Sequence, residues 1–134
     1  MDNRYNHKNR RNYSLKAHIV LVTKYRKNLL INNIADDVKQ QITAIANRDG
    51  LDIVAMETDN DHIHFLLGYD ATSRLCDIIK TIKQETAYYL WQRYAPFLSK
   101  HYRKKKVFWS DGYFVCSIGE VSSATKEKYI ASQG

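Results

Sequence analysis

Two histidines one residue apart, His62 and His64, lie in the stretch Thr58-Asp59-Asn60-Asp61-His62-Ile63-His64-Phe65-Leu66-Leu67. The stretch reads as a polar turn running into a β-strand. Side chains alternate between the two faces of a strand, so His62 and His64 leave one face while Ile63, Phe65 and Leu67 leave the other. Paired imidazoles on one face can grip one metal ion or one phosphate, and an apolar opposite face can bury against helices. Two surface histidines on a half-exposed strand would give the same spacing, so the pair needs support from elsewhere in the chain.

A second constellation lies near the C-terminus. Tyr129 and Gln133 are four residues apart, which puts them on one face of a helix. A tyrosine can be a covalent nucleophile, and a glutamine carbonyl oxygen can complete a metal site. Laid over the histidine face, this helix would bring together two imidazoles, an amide oxygen and a phenol. A divalent ion held by so few protein ligands keeps positions open for phosphate oxygens. The chain has ten tyrosines, and a tyrosine on an amphipathic helix is often a packing residue, so this pairing is weak by itself.

Charge indicates the partner. Lys and Arg number 21 against 14 Asp and Glu, a net charge of +7 with a pI of about 9.4. That balance favours a polyanion, with nucleic acid first and an anionic membrane surface second. The densest cationic run is Arg103-Lys104-Lys105-Lys106, next to His101 and Tyr102, and nucleic acid contact is expected there. In Thr23-Lys24-Tyr25-Arg26-Lys27, Lys24 and Arg26 flank an aromatic ring. Such a cluster can hold a backbone and stack a base, or it can be a solvated strand end. Residues 1–12 form a basic arm in which Arg10 and Arg11 can meet phosphates, if the arm is more than a tail. Lys80 and Lys83 read as an ordinary solvated helix face. The N-terminus lacks the apolar run of a signal peptide. No stretch approaches the ~18 apolar residues of a membrane span. Cys76 and Cys116 sit in apolar patterns and read as buried free thiols. A cytoplasmic protein is expected.

The elements that must position these residues follow from periodicity. With 134 residues the chain is of single-domain size. A β-branched, nearly continuous apolar run predicts a central strand over 16–25. Asn32 or Asn33 can cap a helix to about Asp49, with Ile34, Val38, Ile42 and Ile45 as its buried stripe and Gly50 as its stop. A second strand runs from Leu51 to Glu57, with Ile53 and Ala55 alternating against Val54 and Met56, and makes a hairpin with the histidine strand. Ser73 can cap a helix that runs to about Tyr94 and stops at Pro96, with Leu75, Ile78, Ile79, Ile82, Thr86 and Tyr89 as its stripe. Residues 108–118 read as a turn and a further strand. A last short helix, within 121–133, carries few apolar residues and would be marginal without a surface to dock on. The order β-α-β-β-α-β plus one helix predicts an α+β, ferredoxin-like (RRM-like) fold: an antiparallel sheet with two helices on one face. The other face is left for the histidines.

On these motifs the chain resembles a known family. Asp61-His62-Ile63-His64 is similar to the histidine-hydrophobic-histidine motif of the HUH endonucleases. Tyr129-Ile130-Ala131-Ser132-Gln133 resembles the tyrosine helix of the single-tyrosine transposases of the insertion sequence 200/605 family. Thr23-Lys24-Tyr25-Arg26 and the Trp109-Ser110…Tyr113-Phe114-Val115 segment also resemble that family, and the likeness runs from about Tyr13 onward. Asn60 is a departure, because members often carry proline ahead of the aspartate. The resemblance implies a DNA transposase acting on single strands, with Tyr129 as nucleophile. It implies Mg²⁺ or Mn²⁺ held by His62, His64 and Gln133, and no ATP. It further implies a homodimer that recognises imperfect DNA hairpins at element ends, in which the tyrosine helix can complete the partner's site.

Three other readings compete. A non-catalytic single-strand binding module on the same fold would not need the histidine pair, and the strands lack the RRM aromatic signature. A cupin would carry a glutamate four or five residues past the second histidine, where this chain has Gly68 and Tyr69, and amidohydrolase barrels are far longer. A domesticated relative that cuts repeat hairpins without moving its own element is poorly separated by sequence.

Overall fold

The computed structural model of the protein describes residues 15–117. Arg10, Arg11, Tyr129 and Gln133, with the arm and the last helix that carry them, lie outside the described residues.

Four strands form one sheet in the order β2-β3-β1-β4, and every neighbouring pair is antiparallel. The strands are β1 (Leu15–Val22), β2 (Asp52–Asp59), β3 (His62–Tyr69) and β4 (Phe114–Ser117). Helices α1 (Asn32–Arg48) and α2 (Leu75–Ser99) make the two crossovers. This is the ferredoxin-like α+β arrangement expected from the element order.

The core lies between one sheet face and the helices. Ile19 and Leu21 of β1 and Ile63, Phe65 and Leu67 of β3 are buried there with Ile34, Val38, Ile42 and Ile45 of α1 and Ile79, Ile82 and Leu90 of α2. Fully burying one such side chain contributes roughly 1.5–3 kcal/mol, so the alternation of β3 is held by several independent terms. A one-residue slip would turn every one of them outward.

Several local expectations are corrected. β1 ends at Val22; Thr23 makes only an isolated bridge to Trp109, and Lys24–Arg26 form a 3₁₀ turn. Neither Asn32 nor Asn33 caps α1: the cap position is Ile31, without a side-chain hydrogen bond, and Asn32 itself has φ 50°. Ser73 does not cap α2, whose cap is Arg74; the Ser73 hydroxyl donates to Asp70 instead. Pro96 does not stop that helix. The backbone kinks at Tyr94, φ −124°, and then continues to Ser99, as a proline in a helix bends rather than ends it when the following turn is packed. Leu98 of that last turn is fully buried. β2 does not alternate cleanly, because a bulge between Ile53 and Ala55 shifts its register against β3, leaving both Val54 and Ala55 exposed. The cysteines are not buried: Cys76 is exposed and Cys116 half-exposed, and no disulfide joins them. Gly50 does end the first helix, with φ 75°, a conformation that glycine adopts without cost. Among the described residues, no helix is long and apolar enough to cross a membrane.

Candidate active site

The two-residue turn Asn60–Asp61 delivers the chain into β3 with His62 opposite Val22 and His64 opposite Val20. On the other side Asp59 faces His62 and Glu57 faces His64. Directly opposed residues share a face, so both histidines stand on the sheet face away from the core. Their rings lie 6.1 Å apart and stacked.

Each ring is held differently. His62 Nδ1 lies 2.9 Å from Asp61 Oδ1. The other oxygen of the same carboxylate accepts from Arg26 Nε at 2.9 Å. Asp61 is pinned in turn through its backbone, since Thr23 N–H and Thr23 Oγ1 both donate to its carbonyl, at 3.0 and 3.2 Å. Burial works to raise the Asp61 carboxyl, but its bonds and charge interactions with His62 and Arg26 outweigh this and hold it below the usual carboxylate value. An ionised Asp61 accepts, so the His62 Nδ1–H donates to it, and in the neutral ring this leaves Nε2 as the nitrogen with the lone pair. His64 Nδ1 lies 3.2 Å from His18 Nε2, and His64 Nε2 lies 3.5 Å from Glu57 Oε1. A cleft of about 220 Å³ opens beside His64, lined by His18, Glu57, Ala55 and Leu66 among others.

Sequence reasoning misses the roles of Asp61, His18 and Glu57. A signal for His18 does exist: in β1, His18, Val20 and Val22 share the histidine face by the same alternation that pairs His62 with His64. Finding it needs the β1–β3 register, which periodicity does not supply.

The cationic candidates divide. Arg26 is committed to Asp61, and Lys24 Nζ lies 3.4 Å from the well-exposed Asp111 carboxylate. Arg103, Lys104, Lys105 and Lys106 are all exposed, and among the described residues none of them forms an ion pair. Lys83 is not a solvated face residue. Its ammonium donates to the carbonyls of Ser110, Asp111 and Gly112 at 2.7, 3.0 and 3.2 Å, and clamps the turn that leads into β4. Burial lowers its pKa, opposed by Asp111 and assisted by Lys24.

A family model described as "Transposase IS200 like" matches residues 11–133. The chain belongs to the IS200-like transposase family. It is 30% identical over 121 residues to the ISDra2 transposase TnpA of Deinococcus radiodurans, covering 90% of this chain and 85% of that one. A crystal structure of a Deinococcus radiodurans R1 protein superposes with a TM-score of 0.81 at 30% identity, covering 89% of this chain and 90% of the other. A REP-associated tyrosine transposase bound to a REP hairpin shares the fold, with a TM-score of 0.56 at 11% identity over 88% of this chain and 63% of its own.

In this transposase the histidine face offers two imidazole donors to a metal ion. Among the described residues no three His, Cys, Asp or Glu side chains are placed to hold one together. Two imidazoles on one face, one of them oriented by a carboxylate, make a partial set. A ligating histidine characteristically gives its second ring nitrogen to such a carboxylate, and His62 does so. The residues fit a divalent ion that takes its remaining donors from elsewhere in the chain, from substrate or from water.

Proposed function

We propose that this transposase cuts and rejoins single-stranded DNA at hairpin-marked ends through a covalent link to Tyr129. The observation that supports this most is the His62–Asp61–Arg26 relay beside His64: a histidine pair with one ring oriented by a carboxylate. His62, His64 and Gln133 would hold Mg²⁺ or Mn²⁺. When bound, the ion would supply Lewis-acid stabilisation of charge on the phosphate oxygens.

The chain's own residues do the rest. The Tyr129 phenol oxygen forms a bond to the scissile phosphorus while the P–O3′ bond breaks. The products are a 5′-phosphotyrosine and a free 3′-OH, with the phenol proton passing to the 3′ oxygen by way of solvent or a neighbouring group. One P–O bond is exchanged for another, so the reverse attack by a 3′-OH reseals a strand without ATP. A free phenol has a pKa of about 10, so the site must also lower the cost of losing that proton. Exposed Arg103 to Lys106 and the arm residues Arg10 and Arg11 would hold phosphates, with Lys24 nearer the cut, while Arg26, paired with Asp61, would orient His62. A homodimer in which each tyrosine helix docks on the partner fits a last helix with few apolar residues of its own.

The test mixes the protein with single strands from the flanks of its own gene, with Mg²⁺ or Mn²⁺, and looks for a protein–DNA adduct on a denaturing gel. An adduct lost in Tyr129→Phe and in EDTA is the expected result. Tight binding without an adduct would favour a non-catalytic binding module. Cleavage without rejoining would favour a domesticated hairpin nuclease.

A further inference from the structure

The bend after β1 is unusual in its backbone. Tyr25 and Arg26 are consecutive non-glycine residues with φ of 61° and 53°, a region L-residues rarely enter. The surroundings force it. Lys24 N–H donates to the Phe108 carbonyl at 2.8 Å, Arg26 N–H to the Thr23 carbonyl at 2.9 Å, and Thr23 Oγ1 to the Lys27 carbonyl at 2.7 Å. Tyr102 Oη donates to the Lys24 carbonyl at 2.8 Å from a buried position.

The side chain at the apex of this bend does not use it for packing. Tyr25 is 66% exposed, its ring centroid 6.4 Å from that of Tyr102 and 5.4 Å from Lys24 Nζ. Glycine or asparagine would take this backbone at lower cost, and no core would lose the ring. Strain that the surroundings over-determine, spent on presenting an aromatic to solvent, indicates use of the aromatic. Its location narrows the use. Through Arg26 and Asp61 the bend is tied to His62, and through Tyr102 it adjoins the exposed cations of 103–106.

We propose that Tyr25 is a stacking platform for one unpaired base of the DNA single strand, next to the phosphate presented to His62 and His64. Lys24 meets that nucleotide's phosphate, and Tyr102 holds the platform at its height. This rests on the proposed single-strand activity and adds a nucleotide contact to it. An aromatic face accepts any base, so the site fixes register along the strand rather than sequence.

The experiment is an abasic scan. Hairpin-plus-flank strands from the chain's own gene, each with one abasic position in the unpaired segment, are titrated in EDTA against wild type, Tyr25→Phe and Tyr25→Asn. Asparagine tolerates the left-handed backbone and lacks the ring, so loss of fold does not intervene. At one position, loss of the base should weaken wild type and Tyr25→Phe about tenfold or more and Tyr25→Asn less than twofold. No position showing that coupling, or Tyr25→Phe behaving as Tyr25→Asn, overturns the platform. A parallel reaction with Mn²⁺ and the intact strand separates the two ideas: absence of the Tyr129 adduct there counts against the proposed chemistry alone, whereas wild type binding none of the strands counts against both.

Discussion

In the bend of residues 23–27, Arg26 donates to Asp61 and so helps to aim His62; in the 103–106 loop, four exposed cations find no ion-pair partner among the described residues. The residue types are the same, and from sequence both regions read as nucleic acid contacts. What differs is the neighbourhood. A guanidinium half-buried against a carboxylate is committed to geometry, and its charge is largely spent inside the fold. Exposed cations keep theirs for an outside polyanion and for the salt ions that compete for it. Arg26 should therefore control how well the histidines work, and the 103–106 cations the salt-dependent part of the hold on DNA.

The largest effect expected from breaking that division is at Asp61. Asp61→Ala removes the acceptor on His62 and leaves Arg26 without its partner. Loss of such an outer partner typically costs 10–100-fold in metal affinity. Mn²⁺ titrated into the protein and followed by electron paramagnetic resonance should show a loss of about that size. The affinity for single-stranded DNA in EDTA should change less than twofold. A DNA affinity that fell as far as the metal affinity would mean that Arg26 and Asp61 act on DNA directly and that the two regions are not distinct.

The reciprocal change is neutralising Arg103, Lys104, Lys105 and Lys106 together to alanine. DNA affinity should fall several-fold at low salt, and the slope of log affinity against log salt should flatten by about 0.7 for each phosphate of the single strand that the loop ceases to neutralise. Mn²⁺ affinity should not move. An unchanged slope would place the phosphates elsewhere, with the arm at Arg10 and Arg11 the next candidate.

How far each region could be read beforehand follows from the range of the interaction that sets it. The histidine pair was legible because alternation along β3 is a local property, and so were the α1 stripe from Ile34 to Ile45 and the stop at Gly50. The β-α-β-β-α-β order followed from those local signals, and it sufficed for the sheet. His18 and Glu57 beside His64 depend on cross-strand register. The bulge at β2 and the helical turn beyond Pro96, held by buried Leu98, depend on packing. Lys83 looked like any lysine on a polar helix face, and only the 110–112 turn folding over it makes it a clamp. The left-handed backbone at Tyr25 and Arg26 has no sequence signal of the kind that glycine or asparagine provides.

The smallest effect concerns a side-chain hydrogen bond that joins the two regions. Tyr102 stands at the start of the basic loop and donates its buried hydroxyl to the Lys24 carbonyl in the bend, at 2.8 Å. Tyr102→Phe keeps the ring and removes that bond, which should cost about 1 kcal/mol in urea unfolding at pH 8. Alkali should then expose the same hydroxyl a second way. Burial pushes the Tyr102 phenol above its ordinary 10.0, with the Tyr25 phenol adding to the shift. The unfolded chain therefore ionises first, and the stability tied to the neutral phenol is complete below about pH 10 and is lost as pH rises through that value toward the folded one. Wild type should lose stability more steeply than Tyr102→Phe above pH 10, so the gap between them should close. A gap that stayed constant to pH 11 would mean that the hydroxyl is no more buried in solution than an exposed phenol. The loop would then be free to move independently of the bend, and the division of labour between the two regions would be sharper than one shared hydrogen bond allows.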